Sequence, residues 1–473
     1  MQLIKNLFYA LNILLISLSA PTGYREGVAE QPKSFLPSKT VSLHEKTVSS
    51  LLYRGLFKYD IYGVLIPDLA DTWSISEEGL VYTVKLKDSQ YWSDGRKIIA
   101  DDLLYTSYKI ADLAGVATDK VDDLTVRFTL PNKYAPFLSL FTVGIMPRGS
   151  EETKSDLRPI VSGDWRVARV ERNGKVIRQI SLVTLNPKYK LKKMVFKYYT
   201  DQGELTTAAK LGEIDGFLDV KPHELENFTD YKFPTQGIYY ALYFNLNNEK
   251  FKDVTLRQKM EKVLPIKELI FDKGIGVQGV ISRSVFTDKN LSFDKFDAAF
   301  TEEFGGISVK IIVPDLNTHT ELAEKIKAIW KDRLGLQVEI EKIPPDRMLE
   351  EVINPRKFEV LLYGQEVGRD PDRYVNWHST QKDAPGLNLS GFEHIRADRA
   401  LEEGRNELDN EKRVIHYNEL QKTVSENTPA IFLYHPFVHF YVSKFIDGIG
   451  EKYTFVSADR FLDLENWKRL KTN

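Results

Sequence analysis

The chain has 473 residues, 65 Lys and Arg against 67 Asp and Glu for a formal net charge of -2, an apolar share of 42%, and no cysteine. A near-neutral balance with no long Lys/Arg run argues against an electrostatic nucleic-acid footprint, and the missing cysteine excludes disulfides, thiolate metal sites, cysteine nucleophiles and a lipid-modified cysteine. The length exceeds what one hydrophobic core usually supports, so two or three domains are expected.

Lys5 precedes an apolar stretch over 7–20, LFYALNILLISLSA, too short to span a bilayer comfortably but suited to the apolar region of a secretory signal. Export is therefore expected, with Ser17 and Ser19 as small residues before a cut and Pro21 awkward just after Ala20. A short uncleaved membrane anchor and a buried N-terminal helix are the alternatives. Residues 21–45, rich in Pro, Ser, Thr and Lys, read as extended chain. The alternation in 81–86 (VYTVKL) and 124–130 (LTVRFTL) predicts half-buried antiparallel strands. Between them, Leu104, Tyr108 and Ala111 predict a helix over 100–113. Asp101 and Asp102 sit near its start, where the macrodipole favours anions, so they read as helix-entry residues rather than a general acid/base pair.

A strand-rich region covers 163–199, and a short helix over 205–211 leads into GEIDGF. YYALYFNLNN from Tyr239 reads as a strand, followed by a helix carrying Leu256, Met260, Val263 and Leu264 until Pro265 interrupts it. Residues 307–363 read β-α-β-α-β, with strands at 307–313, 337–340 and 358–363 and a helix at 321–334 whose Leu322, Ile326, Ile329 and Trp330 share one face. This predicts an α/β part with at least partly parallel pairing. A helix over 412–426 and a strand over 430–442 follow, without internal repeats or low-complexity tracts.

GIGVQG at 274–279 satisfies G-x-G-x-x-G. It follows a helix and precedes VISRSVF, whereas a dinucleotide fingerprint leaves a strand and opens a helix, so it reads as a decoy. His435 and His439 are four apart, but Pro436 and β-prone neighbours place them on a strand, where such residues lie roughly 13 Å apart and cannot share an ion. The other histidines are scattered, and no H-E-x-x-H, G-x-S-x-G, P-loop or EF-hand motif occurs. With 67 acidic residues some carboxylates meet by chance, so their number does not support a hydrolase.

The richest stretch is 364–381, GQEVGRDPDRYVNWHSTQ, where the apolar strand FEVLLYG runs into acidic, aromatic and amide groups. In open α/β sheets ligands bind beyond the carboxyl ends of strands. Pro371 fixes its own φ and pushes Asp370 out of the helical region, which forces a turn; an ordinary solvated turn is the alternative.

Seven blocks in order resemble the family 5 extracellular solute-binding proteins, the receptors of ABC importers for oligopeptides, dipeptides, nickel chelates and related solutes. They are LLYRGLFKYD at 51–60, PDLADTWSISEEGLVYTVKLKD at 67–88, YWSDGRKIIADDLLYTSY at 91–108, LVTLNPKYK at 182–190, LGEIDGF at 211–217, YFNLNNEKFKDVTLRQKM at 243–260 and GRDPDRY at 368–374. The resemblance implies an α/β, two-lobed, periplasmic-binding-protein-like (type II) fold with an additional domain inserted in lobe one. After a signal peptide or anchor at 1–20, lobe one is expected at 30–57, 157–235 and 447–473, the inserted domain at 58–156, and lobe two at 236–446. Crossover segments are expected near 233–240 and 437–445.

Function follows as an expectation: a non-enzymatic extracytoplasmic receptor in the periplasm or on the outer face of the cytoplasmic membrane. It captures a peptide or similar extended polar solute by hinge closure and delivers it to an ABC permease. A monomer without cofactor, metal or nucleic acid is expected. Peptide-binding members hold the ligand's amino terminus with an aspartate three residues before the Asp-Pro pair. Val367 stands there, flanked by Gln365 and Glu366, which leaves a receptor for a nickel chelate or sugar as the alternative, beside an envelope-anchored sensor or chaperone on the same fold. The family's G-S/T-G-P/A-Y segment is altered to SGDWRV at 162–167, a packing variation. Expected to line the cleft are Tyr363, Gln365, Glu366, Arg369, Tyr374, Trp377, His378 and Asn388, with Tyr240 near the hinge. Trp377 and the tyrosines would serve as apolar platforms, Gln365 and Asn388 as amide partners, and Arg369 as a carboxylate clamp. The bland alternative puts Tyr363 and Trp377 in the core and pairs Arg369 with Asp370 or Asp372.

Overall fold

The structure is a computed structural model that describes residues 23–110, 113, 115–152, 156–277, 279–281 and 295–470. The apolar stretch at 7–20 lies outside the described residues, and among those described no helix is long and apolar enough to cross a membrane. The chain forms two compact units, Met1–Phe233 with Val438–Asn473, and Pro234–Phe437.

In the first unit, Tyr24–Val28 lies parallel to both Lys193–Tyr198 and Gly216–Asp219, and Val176–Val183 and Arg166–Asn173 extend the sheet antiparallel. Two buried carboxylates tie distant parts of the chain into this sheet: Glu26 accepts from Arg460 and from the Tyr24 hydroxyl, while Asp215 meets both Arg25 and Arg469. Trp165 of the altered SGDWRV segment is buried edge-on against Tyr189, which accounts for it as packing.

A separate antiparallel sheet runs in the order Ala70–Ile75, Val81–Leu86, Thr125–Thr129, Ala117–Lys120. The predicted alternation holds: Tyr82, Val84 and Leu86 point inward and pack with Phe128 and Phe137. The preceding helix is Ala100–Ser107, shorter than the 100–113 predicted, and Ala111 lies outside the described residues. Thr106 and Ser107 bond back to the carbonyls of Asp102 and Leu103, a competition that weakens a helix near its end. Asp102 is a helix-entry residue as expected, accepting from Trp92 Nε1 at 2.9 Å and from the Ile99 and Arg148 amides, while Asp101 pairs with Lys120.

The second unit carries a mixed sheet in the order Gln337–Ile343, Ser308–Pro314, Val360–Glu366, Ile238–Phe244, Ala430–Ser443. Ser308–Pro314 is parallel to both neighbours, as the β-α-β pattern predicts, and the other pairings are antiparallel. Helix Asn317–Leu334 buries Leu322, Ile326, Trp330 and Leu334 on one face of this sheet and ends at Gly335, whose φ of +64° suits the glycine C-cap. On the other face pack Asn410–Asn427 and a helix the sequence reading did not identify, Ile395–Asn406.

The decoy glycines have a packing explanation. Gly274–Gly276 is a short strand beside the crossing strand, and a Cβ on Gly274 would fall 1.9 Å from the His435 carbonyl oxygen, so only glycine fits. Ala430–Ser443 passes through the boundary between the units, pairing first with Ile238–Phe244 and then with Gly216–Asp219.

Candidate functional site

Val360–Glu366 is an interior strand, and the loop beyond its carboxyl end is held by its own chain. Gln365, 4% exposed, accepts from the Tyr239 hydroxyl at 2.6 Å and from the Tyr243 hydroxyl at 3.2 Å, and donates from Nε2 to the Leu387 carbonyl at 2.8 Å. Trp377 Nε1 donates to the same Tyr239 hydroxyl at 3.2 Å. Burial raises the pKa of both tyrosines, so they remain neutral donors. The network joins the sheet to both ends of the loop inside an apolar cluster formed with Phe392, Leu401 and Leu420.

Three arginines from outside the predicted set fix the turn. Arg373, 1% exposed, donates to the carbonyls of Val280, Gly368, Asp370 and Asp372 at 2.7–3.2 Å. Arg413 makes a two-bond contact with Asp370, at 3.0 and 2.7 Å, and also reaches the Gly404 carbonyl and the Tyr417 hydroxyl. Burial opposes its charge, but hydrogen bonding to Asp370 and that carboxylate's field together raise its pKa above the ordinary guanidinium value. Arg405 donates twice to Asp372 and lies 4.1 Å over the Tyr374 ring, which stacks on His378 at 4.1 Å and 18°.

The predicted residues separate accordingly. Trp377, Gln365, His378 and Asn388 are buried and bonded within the unit. Asn388, with no exposure, donates to the carbonyls of Trp377, His378 and Phe392 and accepts from the Phe392 amide at 3.0 Å, so its amide is an internal brace. His378 bonds Thr380 at 2.9 Å and Glu402 at 3.2 Å.

Glu366, at the strand end, is exposed and has no ion-pair partner among the described residues. Tyr363 is half-buried; burial and then the Glu366 charge raise its hydroxyl pKa. Tyr240, also half-buried, stacks on Tyr434 at 4.9 Å and 16° and lies over Gly364. Arg369 is partly exposed on the turn, and the carboxylates of Asp370 and Asp372 are bound by Arg413 and Arg405.

Sequence reasoning missed Tyr239, Tyr243, Arg373, Arg405 and Arg413. The two tyrosines carry a local signal, a spacing of four that puts both hydroxyls on one face of a strand; the arginines of the later helices carry none. What the surface offers is an exposed carboxylate, a partly exposed guanidinium and aromatic faces. Among the described residues, no group of three or more His, Asp or Glu is placed to hold a metal.

A family model described as bacterial extracellular solute-binding proteins, family 5 Middle, matches residues 64–271. The chain is 22% identical over 476 residues to the oligopeptide-binding protein AppA of Bacillus subtilis, covering 89% of this chain and 86% of that protein. It is 23% identical to the dipeptide-binding protein of Escherichia coli, covering 88% of this chain and 90% of the relative. The structure of Bacillus subtilis AppA with a nonapeptide aligns over 96% of this chain and all of that one, with a TM-score of 0.70 at 20% identity. NikZ of Campylobacter jejuni with Ni(L-His) aligns over 95% of this chain and all of its own, with a TM-score of 0.72 at 23% identity. These likenesses give the fold as the α/β, two-lobed, periplasmic-binding-protein-like type expected from the sequence.

Proposed function

We propose that the chain is a family 5 extracellular solute-binding protein, an extracytoplasmic receptor of an ABC importer that captures peptides or similarly extended polar solutes by hinge closure and delivers them to a membrane permease. One observation carries this reading: relatives matching nearly nine tenths of the chain are oligopeptide- and dipeptide-binding proteins. The mechanism is binding without chemistry. A solute that contacts both lobes favours the closed state by its differential affinity, and no covalent step is required.

In this reading the chain acts as a monomer, exported through its segment at 1–20. The lobes correspond to the two compact units, with the crossings at 233/234 and 437/438 in place of the expected 235/236 and 446/447, and 58–156 remains the inserted domain of the first. Tyr240, Tyr363, Glu366 and Arg369 face the solute, the aromatics as platforms, the carboxylate for a cationic group and the guanidinium for an anionic one. Gln365, Tyr374, Trp377, His378 and Asn388 hold the loop that presents them.

A receptor for a non-peptide solute such as a nickel chelate or sugar is the second reading. The apolar Val367 and the likeness to NikZ with Ni(L-His) favour it. Native mass spectrometry of the chain from about Ala20 onward, purified without denaturation, tests both. Co-purifying short peptides support the first reading and a single non-peptide species the second. A protein that arrives empty and ignores a peptide library refutes the receptor reading for peptides.

A further inference from the structure

We propose that His435 and His439 act as two pins, one on each side of the boundary between the units, that confine bending to a short stretch of each crossing segment. The role assigned to them rests on the closure reading above. The chain crosses between the units twice, at Phe233–Pro234 and at Phe437–Val438, and the second crossing lies inside the strand Ala430–Ser443.

On the side of the first unit, His439 is 3% exposed and its Nδ1 lies 2.8 Å from Asp230 Oδ2. Asp230 belongs to Phe228–Pro234, the strand that leads into the first crossing and pairs with the crossing strand. The imidazole is held from beside it by Tyr441, whose ring is parallel within 7° at 6.0 Å. The contact therefore joins the two crossing segments to each other just before they leave this unit.

On the side of the second unit, His435 is wholly buried and its Nδ1 lies 2.7 Å from the Ile238 carbonyl. A carbonyl only accepts, so Nδ1 carries the proton. This contact joins the same two segments just after they enter the unit. Gly274–Gly276 supports it from the other edge, with the Gly274 backbone too close to His435 for any side chain.

Between the pins remain only residues 436–438 on one crossing and 231–237 on the other. Pro234 and Pro436 cannot rotate about φ, and the Thr235 amide donates to the Pro436 carbonyl at 2.8 Å, so the two stretches are linked at their middle. The Phe437 amide is also bonded, to the Lys273 carbonyl at 2.9 Å, so the φ/ψ change falls on the remaining non-proline residues of these two stretches. Hinges are commonly a few element-terminal residues that absorb a φ/ψ change, and a rigid clamp on either side turns a diffuse bend into a defined axis. The spacing of four that fails as a metal pair suits this task, because it places one imidazole on each side of the boundary.

The absence of cysteine makes the test direct. Leu211→Cys and Ile415→Cys place one spin label on an exposed position of each unit, at residues 70% and 66% exposed. Pulsed electron–electron distance distributions are then recorded on the full chain without solute. His439→Ala and Asp230→Ala are expected to broaden the distribution at least about twofold, with an about tenfold loss of amide-exchange protection confined to 231–238 and 436–440. Asp230→Asn keeps an oxygen acceptor for Nδ1 and should retain the original width. Asp230 is partly exposed, so its variants test the pin even where a histidine variant fails to fold. Unchanged widths in both alanine variants, or exchange loss spread through a whole unit, would overturn the assignment. Because no solute is present, a chain that binds no peptide can still show the pins, and a peptide receptor can still lack them.

Discussion

Replacing Arg413 by methionine isolates what holds the loop beyond Val360–Glu366. The guanidinium is 3% exposed and Asp370 16%, and the arginine makes two bonds to that carboxylate, one to the Gly404 carbonyl and one to the Tyr417 hydroxyl. Methionine fills the stem volume but leaves Asp370 with the Asp372 amide as its remaining partner here. Removing one member of a buried pair typically costs about 3–5 kcal/mol, because the other charge is left without compensation, and the partial exposure of Asp370 sets the expectation at about 3 kcal/mol. Adding Asp370→Asn removes the stranded charge and should restore about 1–2 kcal/mol, so a double-mutant cycle should show coupling of about 2 kcal/mol. Equilibrium urea unfolding, with amide exchange over 358–366 assigning the transition to the second unit, measures all four corners. A loss below about 1 kcal/mol, or additive effects, would show the pair to be solvated and the loop to be held by other means.

Gln365→Leu should lower stability of the second unit by about 2 kcal/mol, since two buried tyrosine hydroxyls and the Leu387 carbonyl lose their partner; no change in urea midpoint would contradict the network. Asn388→Ala should likewise destabilise by about 2–3 kcal/mol while the folded fraction binds solute as before, and weakened binding at unchanged stability would return this residue to the ligand surface. Gly274→Ala meets backbone 1.9 Å away and should lower the thermal midpoint or abolish soluble protein, so a variant with unaltered melting would be inconsistent with the packing described. Burial depresses His319 to about 4, with Lys273 adding to the shift, and depresses His44 to about 3, with Arg460 adding. The unfolded chain takes up these protons first as pH falls, so stability present above about pH 6.5 should decline by about 1.4 kcal/mol per pH unit for each histidine toward about pH 4. His319→Leu should flatten that slope for the second unit between about pH 6.5 and about pH 4.5, and an undiminished slope would refute the assignment.

What the sequence revealed depends on where the deciding contacts lie. The strands at 81–86 and the helical face of Leu322, Ile326 and Trp330 are legible because burial writes a period into neighbouring residues. Ile395–Asn406 escaped because the face it buries is small: Ala397, Ala400, Leu401 and Gly404, the last lying so close to Tyr417 that a Cβ would sit 2.9 Å from its ring. Asn317–Leu334 begins earlier than the pattern indicated because Leu316 supplies no capping side chain to mark it. At the end of the strand Val360–Glu366, Glu366 and Gln365 are adjacent and equally polar on paper. One is exposed and the other is bonded to tyrosines more than a hundred residues earlier, and nothing local to 364–388 records that difference. The arginines that neutralise Asp370 and Asp372 lie 43 and 33 residues further on, so the acidic loop looked freer to bind than it is.

The pairs that Glu26 makes with Arg460 and Asp215 with Arg469 also set an order of assembly. The second unit is made from one uninterrupted run, Pro234–Phe437, and every residue it needs has been synthesised before the C-terminal tail begins. The first unit is built from both ends of the polypeptide. Its earliest described strand, Tyr24–Val28, waits for Arg460 to neutralise Glu26, Asp215 gains Arg469 beside Arg25 only at the end, and Gly216–Asp219 lacks its second neighbour until residues 439–442 arrive. Synthesis proceeds from the amino end at about 5–20 residues per second, so the part made first is the part finished last. Until then it exposes an open sheet edge and one uncompensated carboxylate, Glu26, since Asp215 already has Arg25, which makes the final few dozen residues the latch on the first unit and its nascent form the most vulnerable stage.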